Sequence, residues 1–442
     1  MKKNYLGNKE IWKIFPNAET IAYYHPLGNF ICLNEMDEKQ FVEVSRNPDK
    51  YPGHYGTIMH EMQHWIDHIS TLWGQKKLLK TFQAFQSSVT RDETKMYKMK
   101  VLFDNFKEDR LAAYYSENYS NIQGGKDKRW KYSFSTGIRY DNEGNLDDTK
   151  SIIFVKFNSF FDEPISRVPI SVASLLETTA MNTEISSLLI SILKLDDSEK
   201  IIELKLLSDK IILGLYNPEL TLYSVAVHTV SNILGISDPI DGYRIASMIA
   251  TLSLNLPSAV FGDLKIPKNF IEKWGRRTDN LLRQKDRGFA FLCIVKNYYD
   301  KYGIYDENNF SIDKVLKASN FFEINELERL VNRESVLIEK EMLLDQNVFI
   351  NLLLTKIFTG NTMRKQRGIA QEKKNTGKIE MSETSDLPYF ICNDTYFDNH
   401  DINMSDVVDK LKKTEPISRE EWWKVFESCE KKINEFSEIC GV

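Results

Sequence analysis

Apolar residues change their spacing several times along the chain, and each change marks an element. TIAYY (20–24) and NFICLN (29–34) read as two short strands, with HPLG (25–28) supplying the turn between them. NPDKYPGHYG (47–56) reads as a loop, after which the period becomes helical. In the helix that follows, Ile58, Met62, Trp65, Ile66, Ile69 and Trp73 fall within one arc of about 100°. Helical spacing continues over 76–119, in KKLLKTFQAF and MKVLFDNF. Residues 120–150 read as a hairpin with a Gly-rich entry and a turn at NEGN, and KSIIFVKFNSF (150–160) is the strongest strand pattern. From Ser171 nearly to the end the pattern is helical, so the expected fold is α+β and predominantly helical. Residues 360–388 interrupt it: they are polar, nearly free of large apolar groups, and read as a mobile loop or linker.

A chain of 442 residues with 42% hydrophobic content can build sizeable cores and more than one domain. A net charge of −5 offers no general attraction for nucleic acid or an anionic membrane. The one basic stretch, MRKQRGIAQEKKNTGK (363–378), has no interleaved aromatics and reads as a solvated loop. Five cysteines, widely spread and without a CxxC pair, argue against a disulfide framework or a cysteine metal site and fit a reducing compartment. The N-terminal lysines are followed by no apolar stretch, so no signal peptide is read there. A long uncharged run, 245–261, is short for a bilayer and holds Pro257, so it reads as a buried helix ending before the proline. A cytoplasmic protein with no membrane segment is expected.

Chemistry concentrates in GTIMHEMQHWIDHIS (56–70), which holds three of the chain's seven histidines. His60-Glu61-Met62-Gln63-His64 places two imidazoles one helical turn apart, where both can reach one ion. Glu61, offset by about a quarter turn, can accept a proton from water held by that ion. A match of this kind arises by chance about 0.02 times in a chain of this composition. On the helical wheel His60, His64 and His68 lie opposite the apolar arc with Asp67 beside them, so the face is either solvent or the wall of a cleft. His68 lies about 12 Å of helix rise from His60, too far to share an ion, and reads as a rim residue.

His60-Glu61-x-x-His64 resembles the active-site helix of the zincin metallopeptidases, and in particular their gluzincin branch. The resemblance covers the motif and one later helix. It implies zinc on His60, His64 and a later glutamate, with Glu61 as the catalytic general base. That glutamate is sought in VPISVASLLETTAMNTEISSLLISIL, whose apolar residues run nearly all round and which has no Lys or Arg between Arg167 and Lys194. A buried carboxylate there needs a cation, which makes Glu177 the expected third metal ligand. Two alternatives stay open: Glu184 as the ligand, or Glu177 as the end of a capping box begun by Ser174. Gluzincins often carry an acid four residues after the ligand, but here that position is Met181, leaving Asp67 as the candidate to orient a histidine. His228, Tyr243 and Arg244 are candidates for oxyanion stabilisation, although a lone histidine on an apolar helix usually reads as a core residue. His25 and His54 flank the motif in loops without ligand spacing.

The resemblance thus implies a zincin-like domain over 1–262, with 120–150 as an insertion, and a mainly helical region over 263–442. It implies zinc-dependent hydrolysis of a protein or peptide substrate, with SIIFVKFN as the candidate edge strand for the substrate. The alternatives are a zinc hydrolase of non-peptide substrates, and a non-catalytic interaction protein whose helical C-terminal region binds a partner.

Overall fold

The computed structural model describes residues 21–90, 93–141, 144–344, 347–373, 387–397, 401–413 and 415–440. Two strands, β1 (Ala22–His25) and β2 (Phe30–Leu33), precede α1 (Glu38–Arg46), α2 (Pro52–Ser70), α3 (Leu72–Thr90), α4 (Tyr97–Asp109) and α5 (Leu111–Tyr115). Next come β3 (Glu117–Asn118), β4 (Lys131–Tyr140), β5 (Leu146–Asn158) and β6 (Pro164–Pro169). Helices α6 (Val172–Ile192), α7 (Asp197–Leu215), α8 (Thr221–Leu234) and α9 (Pro239–Asn255) follow. The remainder is α10 (Lys268–Trp274), α11 (Arg276–Arg283), α12 (Arg287–Tyr302), α13 (Ile312–Ala318), α14 (Ile324–Leu344), α15 (Ile350–Arg367), β7 (Tyr389–Cys392), α16 (Met404–Lys412) and α17 (Arg419–Ile439). The fold is α+β and predominantly helical.

Helix α2 sits at the centre, packed on α6, α3, α15 and β1, so it is buried on nearly every side. Helix α6 in turn packs on α8 and α9. Local chemistry sets these boundaries. Pro52 occupies the first turn of α2, where its fixed φ fits and its missing N–H costs nothing, so the helix absorbs residues expected in a loop. Thr71 ends it: its backbone N–H and hydroxyl both donate to the Asp67 carbonyl, and its hydroxyl accepts from the Gly74 N–H. Trp73 therefore belongs to α3 and not to the apolar stripe of α2. Asp238 caps α9, Pro239 opens it, and it closes before Pro257 as its pattern predicts.

Sheet connectivity departs further from the sequence reading. The expected pair β1–β2 is antiparallel, with Tyr23 opposite Cys32, and β7 adds to β2 in parallel, giving the order β1-β2-β7. A second sheet runs β3-β6-β5-β4, and β4–β5 is the expected hairpin, closed by the Asp141 N–H donating to the Asn145 carbonyl. SIIFVKFN is the inner part of β5, paired with β4 on one side and β6 on the other. It is therefore not an edge strand: its two hydrogen-bonding sides are taken by β4 and β6, and Ile152, Ile153 and Val155 are buried.

The polar segment expected from 360 begins later, because α15 continues to Arg367. Gly360 lets α15 press onto α2: a Cβ there would overlap the Ile69 carbonyl oxygen. Two arginines of the supposedly solvated basic stretch in fact pack against the same helix, Arg364 buried and Arg367 half-buried. Arg364 donates to the Ser70 carbonyl at the C-terminus of α2, and Arg367 to the Gln63 side chain at 3.0 Å. The end of that stretch, 374–378, lies outside the described residues, as does the polar segment up to 386. Among the described residues no single helix is long and apolar enough to cross a membrane; α8 with α9 qualifies only as a pair bent by 104°.

Candidate metal centre

His60, His64 and Glu177 come from α2 and α6, the two helices packed most extensively on each other. Their possible ligand atoms all lie within 4.8 Å of one another, and all three residues are buried. Glu177 Oε2 is 3.2 Å from His60 Nε2 and 3.7 Å from His64 Nε2. Glu177 is 1% exposed, and among the described residues no Lys or Arg is paired with it. It does not cap its helix. Ser171 is the N-cap of α6, and Ser174 completes a capping box with it, so the start signal falls three residues before the Ser174–Glu177 reading.

Glu184, one further double turn along α6, approaches His60 from the other side. Its Oε2 is 3.2 Å from His60 Nδ1, opposite the nitrogen that faces Glu177. Glu184 thus fills the orienting place expected for Asp67, and it reaches across because Gly56 leaves room: a Cβ there would stand 3.2 Å from the Glu184 Cγ. Asp67 instead accepts from Gln63 Nε2 at 2.8 Å and from the Thr179 hydroxyl. Gln63 Oε1 also accepts from Thr183 and Arg367, so this buried network fixes α2 against α6 and α15 rather than orienting a ligand histidine.

Electrostatics follow from burial with little counter-charge. Burial alone would depress His60, but hydrogen bonds to Glu177 and Glu184 more than reverse it and hold its pKa well above the usual value. Burial lowers His64, and the neighbouring His60 lowers it further. Burial also pushes Glu177 up, against the pull of His60. Glu61 is raised by burial to about 7, and its carboxylate accepts from the Tyr24 backbone N–H while Oε2 is buried with no hydrogen-bond partner among the described residues. Two imidazoles and a carboxylate converging in a buried pocket suit a divalent ion that favours nitrogen with one oxygen, which is the donor chemistry of zinc.

The centre opens into a cavity of about 660 Å³. Ala22 and Tyr23 of β1 border it on one side; Met181, Leu188, Leu207 and Ile211 form an apolar wall on the other. The histidine face is therefore a cleft wall, with His60 8% and His64 4% exposed. His68 is not at the rim but buried at 1% exposure.

Among the oxyanion candidates, His228 is a core residue: its Nε2 lies 2.8 Å from the Leu215 carbonyl and its ring packs on Trp130 at 5.7 Å. Arg244 pairs with Asp241 and Tyr305 and does not line the cavity. Tyr243 does line it. Sequence reasoning missed Tyr223, whose ring lies 6.4 Å from that of His60 and which also lines the cavity. The Glu177 charge, then burial, then Glu61 and Glu184 raise its pKa, so its hydroxyl stays protonated and able to donate. The signal was faint: Tyr223 lies five residues from His228 and about 140° around α8 from it. His25 closes β1 rather than lying in a loop, and accepts from the Gly28 N–H. His54 lies in the first turns of α2 and is not among the cavity-lining residues. Comparison with protein-family models, curated proteins and solved structures gives no match.

Proposed function

We propose that the chain is a zinc-dependent metallopeptidase of zincin type, with zinc held by His60, His64 and Glu177 and with Glu61 as general base. The observation that carries this reading is the convergence, on the wall of an open cavity, of the motif's two histidines with a buried glutamate that pairs with no Lys or Arg among the described residues. Zinc in such a site supplies a water acidic enough to react near neutral pH and an electrophile for the scissile carbonyl. Glu184 holds the Nδ1 side of His60, which leaves Nε2 turned toward the site. Glu61, with one oxygen tied to β1 and the other without a partner among the described residues, takes the proton from water and returns it to the departing amine. Tyr223 is the hydrogen-bond donor for the developing oxyanion.

An extended peptide fits the same geometry. Among the described residues strand β1 is at the edge of its sheet and borders the cavity, so an extended peptide can lie along it, while the apolar wall of α6 and α7 receives a side chain. Placement in the cytoplasm remains part of this proposal. The test is a mixture-based peptide library incubated with the zinc-loaded protein, the chelated protein and the chelated protein given zinc again. Cleavage that disappears on chelation and returns with zinc is expected. A zinc-loaded protein that cuts no peptide, yet hydrolyses other amides or esters, would move the reading to a non-peptide hydrolase.

A further inference from the structure

One buried histidine of α2 has no task in the chemistry above. His68 stands two turns beyond His60, and its Nδ1 lies 2.7 Å from the Tyr24 hydroxyl, with the rings edge to face at 5.7 Å. The same hydroxyl donates to Asn29 Oδ1 at 3.1 Å. Asn29 has φ 56°, the left-handed conformation that asparagine tolerates, in the turn between β1 and β2. Burial lowers the His68 pKa to about 3, with Lys77 and Lys356 adding to the effect, so the ring is neutral. A proton on Nδ1 then orders the chain as His68 donating to Tyr24 and Tyr24 donating to Asn29, leaving buried Nε2 as an acceptor without a partner among the described residues.

Tyr24 therefore makes two connections from one residue. Its backbone N–H holds the Glu61 carboxylate, and its side chain is fixed by His68 and Asn29. This matters because β1 has only four residues and, among the described residues, pairs on one side only, with β2. A short edge strand is the part of a sheet that opens and shifts most easily. A catalytic base, by contrast, must be held within about 0.5 Å of its working position. Nothing in the β1–β2 ladder alone sets the strand against α2, whereas the Tyr24–His68 contact joins the two elements directly.

We propose that Tyr24 and His68 are positioning residues for Glu61: they lock the edge strand to the metal-binding helix so that the Tyr24 N–H holds one carboxylate oxygen and leaves the other toward the reacting water. The inference rests on the metallopeptidase reading for its kinetic consequence, but its structural half stands without it. The test uses the full chain with three substitutions. Tyr24→Phe keeps the ring and removes the hydroxyl; His68→Leu removes the partner; His68→Gln restores a donor toward Tyr24. Amide exchange at Tyr24 in the metal-free protein is expected to rise at least about tenfold in Tyr24→Phe and His68→Leu, without a matching rise across α6, and to return toward wild type in His68→Gln. Zinc content should not change. On a peptide cut by the wild type, kcat should fall by about tenfold to 100-fold with KM nearly unchanged, and His68→Gln should recover part of it. Exchange at Tyr24 as slow in Tyr24→Phe and His68→Leu as in wild type overturns the proposal, as does unchanged kcat. A general rise in exchange over α2 and α6 also overturns it, since that is the mark of simple packing. If the wild type hydrolyses nothing, the metallopeptidase reading fails, and the exchange data still decide whether the clamp exists.

Discussion

Replacing Glu61 by glutamine is expected to leave metal and fold in place and to remove hydrolysis. The side chain is 7% exposed and does not belong to the His60, His64 and Glu177 ligand set, so an isosteric amide changes neither the packing of α2 nor the donor set. The amide can still accept from the Tyr24 N–H. What it loses is proton affinity: burial raises the Glu61 carboxyl to about 7, where it can take a proton from activated water and give it back within one turnover. Loss of such a base costs about 10²–10⁴-fold in rate. Cleavage in the peptide library, and new protein N-termini in cells expressing wild type but not Glu61→Gln, are the readouts. Equal cleavage by both proteins would remove Glu61 from the mechanism.

The second large effect separates the two glutamates of α6. Glu177→Ala is expected to lower zinc affinity by more than about 100-fold, beyond what loss of an outer-shell partner brings. Glu184→Gln, which alters only the hydrogen bond to His60 Nδ1, is expected to weaken it by about tenfold to 100-fold. Titration of the metal-free proteins with zinc against a competing chelator gives both numbers. Were Glu177 only a cap, its loss would cost about 1 kcal/mol of stability and leave affinity alone. Ser171 and Ser174 already occupy that role. The opposite ranking, with Glu184 the more important, would exchange the two assignments.

The parts of this site that could be read from the sequence are those that depend on spacing along a single helix. His60 and His64 share a face because they are one turn apart, and Glu61 is adjacent by the same rule. Glu177 was legible through an absence, the long stretch of apolar helix with no basic residue to meet a carboxylate. What stayed hidden depends on how helices cross. Glu184 reaches His60 through the gap that Gly56 leaves, and neither residue announces this in its own segment. Tyr24 and Glu61 meet only once β1 lies on α2. Likewise, the edge strand could not be told from the inner one by pattern: SIIFVKFN looks like the better strand because it is buried on both sides by partners, whereas β1 is short and polar-tipped. The β7 pairing with β2 joins positions more than 350 residues apart, for example Phe30 and Tyr389, and no local period encodes that. Arg364 and Arg367 were misread for a related reason. Charged side chains look solvated in a sequence until a helix end and a buried glutamine are found opposite them.

The central claim is that His60, His64 and Glu177 form one metal centre, and zinc content tests it most directly. Purified protein, exposed to zinc and then desalted, should retain close to one ion per chain by elemental analysis. His64→Ala, measured beside it with circular dichroism to verify the fold, should retain almost none. A folded His64→Ala variant carrying as much zinc as the wild type, or a folded wild type that retains none, would contradict the account.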